Sequence, residues 1–253
     1  ISAALSFATE VPVMPMATPM SALRSAGASF TPSPVIAATS PLACMALTMR
    51  SEPERVVRGA QVLQYALGAS QAVIAIEDQM GAVYEALARA ADRATNEDPE
   101  AEVLVLRVPK IYPEGGERQL IQVLTGREVP AGGFPHDLGL TMQNVATAAA
   151  AGDAVIDGLP LMERIVTVTG NGVRDPRNFR ALLGTPVGEL IAAAGGYTPD
   201  VARLVIGGPM MGVALADDAA PVVKGTNCVL ALSGEDIAEH GPELPCIRCG
   251  ECM

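Results

Sequence analysis

The sequence predicts an α/β chain with a domain on a parallel sheet, a second compact unit of strands around a short helix, and a cysteine motif at its far end. Three observations predict it. Two apolar, β-branched runs, 71–76 and 103–108, flank a helical pattern. The texture changes at Glu163 to a strand, turn, helix and strand within about 50 residues. Cys246, Cys249 and Cys252 stand at C-x-x-C-x-x-C spacing.

Taken in order, residues 1–50 differ from the rest of the chain. They are dominated by Ala, Ser, Pro, Thr and Met, and their only charges are Glu10, Arg24 and Arg50. From Ser51 the pattern sharpens, since Ser51 with Glu54 three positions on forms a capping-box arrangement. Val56, Ala60, Leu63 and Leu67 then lie at helical spacing and Gly68 can end the helix. The 71–76 run (QAVIAI) reads as a strand ending in Glu77 and Asp78, Val83, Leu87 and Ala90 as a helix face, and 103–108 as a second strand. Strand, helix and strand in that order imply a right-handed parallel crossover.

Ligands of open α/β sheets collect at the carboxyl ends of the strands. That rule selects Glu77, Asp78 and the turn over 110–117, with Lys110, Gly115, Gly116 and Glu117. Glycines ahead of a helix let backbone amides approach an anion such as a phosphate, although Pro-Glu-Gly-Gly is also ordinary turn chemistry. Glu77 and Asp78 equally fit a helix N-cap, and Lys110 fits either a phosphate partner or a surface cation. A helix with Leu120, Val123 and Leu124 should stop at Gly126, and Gln143 and Asn144 precede an Ala-rich helix. The second unit reads as a strand over 165–169, a turn at Asn171 and Gly172, a helix over 185–194 and a strand over 204–206.

Charge and hydropathy exclude some classes of partner. With 17 Lys and Arg against 28 Asp and Glu, the net charge of −11 argues against nucleic acid or an anionic membrane surface as the main partner. No uninterrupted apolar run reaches the roughly 18 residues of a membrane span, and no basic leader precedes an apolar run, so a cytoplasmic location is expected. Five cysteines are an odd number, with three inside seven residues, which suits a metal centre in a reducing compartment. Cys44 and Cys228 stand alone, and Cys228 reads as a small core residue. In the terminal run three thiolates can wrap one iron-sulfur cluster. Zinc competes, but structural zinc sites usually add a second knuckle or His.

From Tyr112 onward several motifs occur in sequence: YPEGGERQLIQVLTGREVPAGG, QNVATA, VTVTG, GGPMMG, VVKGTNC and PCIRCGEC. Together they resemble the RnfC/RsxC family, the C subunits of the Rnf/Rsx ion-translocating electron transport complex, a family related to the flavoprotein subunit of respiratory complex I. The resemblance covers roughly 51–253. It implies a Rossmann-like FMN- and NADH-type domain over 51–160, a β-grasp, soluble-ligand-binding domain over 161–215, and over 216–253 a linker and the start of a helical ferredoxin-like domain.

The resemblance also implies two 4Fe-4S clusters, FMN, and electron exchange between NADH and ferredoxin beside the other subunits of an ion translocase, with peripheral membrane attachment through those subunits. Gly115, Gly116 and Glu117 resemble the loop near flavin and nicotinamide, Glu77 and Asp78 an acidic pair near the cofactor, and Gln143 and Asn144 a turn that contacts the flavin. No side chain is expected to act as a catalytic nucleophile, because hydride transfer belongs to the cofactors. The fourth ligand for Cys246, Cys249 and Cys252 is expected from a further motif. A corrin reductase, to which the family is similar, and a non-catalytic ligand-binding or docking scaffold are the alternative functions.

The family also carries a glycine-rich turn, G-L-G-G-A-x-F-P. Here Phe7, Ala8, Thr9 and Glu10 stand without those glycines. The composition of 1–50 is what a GC-rich gene gives when read out of frame, so this segment is expected to be out of frame or disordered.

Overall fold

The computed structural model describes residues 35–38, 43–110, 115–208 and 211–237, all within one compact unit. The first sheet holds β1 (Val35–Ala38), β2 (Ala72–Glu77), β3 (Val103–Val108) and β4 (Thr141–Asn144), all parallel, in the order β3-β2-β1-β4. It therefore begins at Val35, inside the segment that composition left unassigned. The connections are helical: α1 (Ala43–Ser51) and α2 (Pro53–Ala66) follow β1, α3 (Gly81–Glu97) follows β2, α4 (Glu117–Thr125) lies between β3 and β4, and α5 (Val145–Gly152) follows β4.

Period-two alternation along β2 divides the core. Ile74 and Ile76 pack with Met49, Val56, Val57, Ala60, Val83 and Leu87 of α1, α2 and α3. Ala75 points the other way, onto Leu120 and Ile121 of α4. Ile74, Ile76 and Leu87 are fully buried, and each contributes about 2 kcal/mol relative to exposure. On the first face α2 and α5 touch through their backbones: a Cβ on Gly59 would lie 2.0 Å from the carbonyl oxygen of Ala148. Only glycine fits there.

The start of α2 differs from the capping box read at Ser51. Ser51 is the last residue of α1, Glu52 is the N-cap of α2 without a side-chain cap bond, and Pro53 opens the helix. Proline suits that position because its missing N–H would have no helical partner. The Glu54 carboxylate instead pairs with Arg93 of α3. Gly68, at φ 60°, does follow the end of α2, and Gly126, at φ 69°, caps α4.

The second sheet holds β5 (Glu163–Thr169), β6 (Arg177–Leu182), β7 (Val201–Ile206), β8 (Val213–Ala214) and β9 (Cys228–Ser233) in the order β6-β5-β9-β7-β8. Only β5 and β9 run parallel. One helix, α6 (Val187–Ala193), packs Val187, Leu190 and Ile191 on Val166, Val168, Val229 and Ala231, giving a β-grasp arrangement. The central strand is β9, so 228–233 belongs to this sheet where sequence had a linker. Cys228 is buried beside Val205 and Leu230, as a core thiol would be. At Gly170 (φ 107°) a Cβ would stand 2.1 Å from the carbonyl oxygen of Ala231. The expected ferredoxin-like start lies outside the described residues.

Ion pairs tie the two sheets together. Glu52 accepts from Arg55 at 2.5 Å and from Arg180 of β6 at 2.7 Å, and Arg180 also donates to Glu163 at 2.5 Å. Arg55 donates to Asp153 at 2.7 Å, and Arg58 to Asp157 at 2.6 Å, in the wider π turn (Asp153–Asp157) that continues α5.

Candidate functional site

The chain passes from β1 outward to β2 and β3, then returns to lay β4 on the other side of β1. This reversal puts the topological switch point at the carboxyl ends of β1 and β4, where open α/β sheets hold their ligands. Register sets Gln143 and Asn144 of β4 beside Ala37 and Ala38 of β1, and Glu77 of β2 beside Val108 of β3. One strand separates the β2 and β4 ends, a sideways step of two strand spacings or about 10 Å, and Glu77 stands two residues further along the rim than Asn144, which is level with Ala75. Lys110 follows β3 by two residues on the same rim, and Gly115 and Gly116 lead into α4.

The individual contacts sort these residues. The Glu77 carboxylate accepts from Gln79 at 2.7 Å, and the Asp78 N–H donates to the Val108 carbonyl at 2.9 Å, extending the β2–β3 ladder by one bond. Neither caps a helix. Met80 is the N-cap of α3, with no side-chain cap bond, so the capping alternative for the acidic pair fails and both carboxylates stay at the rim. Asn144 is itself a cap: its Oδ1 accepts from the Ala146 N–H at 2.9 Å and starts α5. Part of its hydrogen-bonding capacity therefore holds backbone.

The N-terminus of α4 supplies backbone donors. Gly116 is its N-cap in an extended conformation without a side-chain bond, and Glu117 begins the first turn. Lys110, Gly115 and Glu117 are exposed, and Gly116 is partly so. The rim thus offers a cation, two carboxylates, amide donors and a Gln side chain, a set suited to an anionic group attached to a hydroxyl-rich chain.

Sequence reading missed Arg118. Its guanidinium donates to the carbonyls of Val129 (3.3 Å), Pro130 (3.1 Å) and Gly133 (2.7 Å), fastening the Gly132–Gly133 turn to the first turn of α4. One signal was available, an Arg directly after the Gly-Gly-Glu run, but nothing local names its distant acceptors. Cys246, Cys249 and Cys252 lie outside the described residues. Among the described residues, no three His, Cys, Asp or Glu side chains gather as a metal site, and no helix is long and apolar enough to cross a membrane.

Two known family models match the chain, one after the other. Residues 39–153 match the family model described as the Nuo51 FMN-binding domain, and residues 165–214 match the SLBB domain. The chain is 44% identical over 206 residues to the C subunit of the ion-translocating oxidoreductase complex of Pseudomonas aeruginosa, covering 81% of this chain and 26% of that protein. It is 43% identical over 212 residues to the protein of the same name from Rhodobacter capsulatus, covering 84% of this chain and 40% of that one. The C subunit of the proton-translocating ferredoxin:NAD(+) oxidoreductase complex of Clostridium ljungdahlii is 37% identical over 206 residues, covering 81% and 43% respectively. The chain thus spans 26% to 43% of the length of these relatives. Among solved structures, an NAD+-reducing [NiFe]-hydrogenase in the H2-reduced state superposes with a TM-score of 0.66 at 16% identity, over 80% of this chain and 41% of that one. That likeness is one of fold.

Proposed function

The chain belongs to the family of C subunits of ion-translocating oxidoreductase complexes, and from that premise we propose that it is the flavin-proximal part of an electron-transfer subunit. In this reading the subunit passes electrons between NADH and ferredoxin through FMN and 4Fe-4S clusters, in a complex attached to the membrane by its other subunits. The observation that carries it is the switch-point rim, which lies within the segment matched by the FMN-binding family model.

The donor set fits FMN. Lys110 and the first amides of α4 behind Gly116 would hold the phosphate, Glu77 and Asp78 would accept from the ribityl hydroxyls, and Gln143 would meet a ring carbonyl or N–H. Asn144 serves chiefly to fix the start of α5, which keeps Gln143 in place. Bound FMN would accept a hydride and release electrons singly. Arg118 holds the Gly132–Gly133 turn against α4 and so steadies the amide donors. Cys246, Cys249 and Cys252 would give three thiolates to a cluster whose fourth ligand comes from another motif.

The test is NADH oxidation by the full-length subunit loaded with FMN, with ferricyanide as acceptor. Turnover that requires FMN supports the reading. Absence of NADH oxidation by a protein that has bound FMN and filled its clusters would refute it.

A further inference from the structure

Among the described residues four strands are outermost in their sheets: β3 and β4 in the first, β6 and β8 in the second. An outer strand presents backbone N–H and C=O groups to any chain that arrives, and proteins blunt such edges with shortness or charge. β8 is two residues long, β4 is the polar TMQN, and β6 carries exposed Arg177 and Arg180. β3 has no such protection. It is six residues, VLVLRV, and its one charge, Arg107, lies 4.3 Å over the ring of Tyr84 and is drawn back onto α3. Leu106 is 40% exposed.

A groove of about 490 Å³ runs between α3 and this strand, lined among others by Tyr84, Asn96, Leu104 and Val105. Its charged lining residues are both carboxylates, Asp92 and Glu102. We propose that β3 is completed in the assembled protein by an extended strand of another polypeptide, apolar at alternate positions and carrying a Lys or Arg that meets Asp92 and Glu102. Only a strand can satisfy successive backbone groups along an edge. Its alternate side chains would fall on the α3 groove beside Val105 and on the opposite face beside Leu106. The two carboxylates select a cationic partner, whereas a second copy of this chain brings its own net charge of −11.

This inference rests on the reading that the chain works in a multi-subunit complex. The test places photoreactive benzoylphenylalanine at Leu106 or Asn96 of the full-length subunit in its host, with Val123 on α4 as control, and purifies the complex through a different subunit. Cross-links from Leu106 and Asn96 to a basic-flanked extended segment of another subunit are expected, and D92K/E102K should lower their yield about tenfold, an effect of about 1.4 kcal/mol. Co-purification with no more cross-linking than at Val123 overturns this inference and leaves the proposed function intact, as do cross-links to a second copy or to a helix. Failure of the subunit to co-purify overturns both.

Discussion

A Cβ on Gly59 would stand 2.0 Å from the Ala148 carbonyl oxygen and 2.8 Å from the Ala149 nitrogen, so α2 and α5 can cross only where one of them lacks a side chain. Both obstructing atoms belong to backbone, which cannot rotate away. Gly59→Ala should therefore cost about 1–3 kcal/mol as the helices separate, read as a lower urea midpoint with an unchanged slope. Rim residues behave differently. Glu77 and Asp78 are legible in the sequence because they end an apolar run, and the structure keeps them at the strand end. Their choice between cap and rim depends on where α3 starts. Met80 and Gly81 mark that start, and neither is a residue with a capping side chain.

Elements carry the coupling between the sheets. Burial pushes the Glu52 carboxyl up, but hydrogen bonds and charge from Arg55 and Arg180 outweigh it and hold the group below the usual carboxylate range. A depressed folded-state value stabilises the fold above the ordinary carboxylate range, and that contribution disappears as pH falls through the folded value. Arg180 is half exposed, so Arg180→Ala should cost only about 1 kcal/mol at low salt. Thermal unfolding should show that difference at neutral pH, shrinking with added salt and closing in acid. A difference that persists unchanged in acid would mean that Arg180 acts by packing.

The same scale explains what sequence could reveal of the fold. β2, α3 and β3 were legible because short β-branched runs and a clean helical face stand next to each other. The VLAL of β9 is strand-like in sequence, but with five of the six residues of CVLALS buried it shows little alternation to assign it to a sheet, and 216–253 reads as linker. β6, with Arg177, Asn178 and Arg180, reads as loop until its partner β5 is known. Ser51 looked like a cap because nothing in 43–50 announced the helix that it ends.

At the scale of the molecule, two sheets share one connected frame. α5 starts at Asn144 on the switch-point rim and runs into Asp153, whose partner Arg55 is tied through Glu52 to Arg180 of the β-grasp sheet. The rim and the second domain are thus linked by four side chains, Asp153, Arg55, Glu52 and Arg180, and one short helix. The sequence made the rim legible as a set of candidates, while its unity depended on strand order: β4 lies beside β1 only because the chain reverses at the switch point, a long-range choice that no local pattern encodes. The same reversal underlies the proposal that this rim holds FMN. Titration of the purified chain with FMN, followed by flavin fluorescence, is the decisive measurement. Saturable one-to-one quenching is expected, weakened about tenfold, or about 1.4 kcal/mol, by Lys110→Ala. Absence of quenching, or equal affinity in the Lys110→Ala protein, would contradict the proposal.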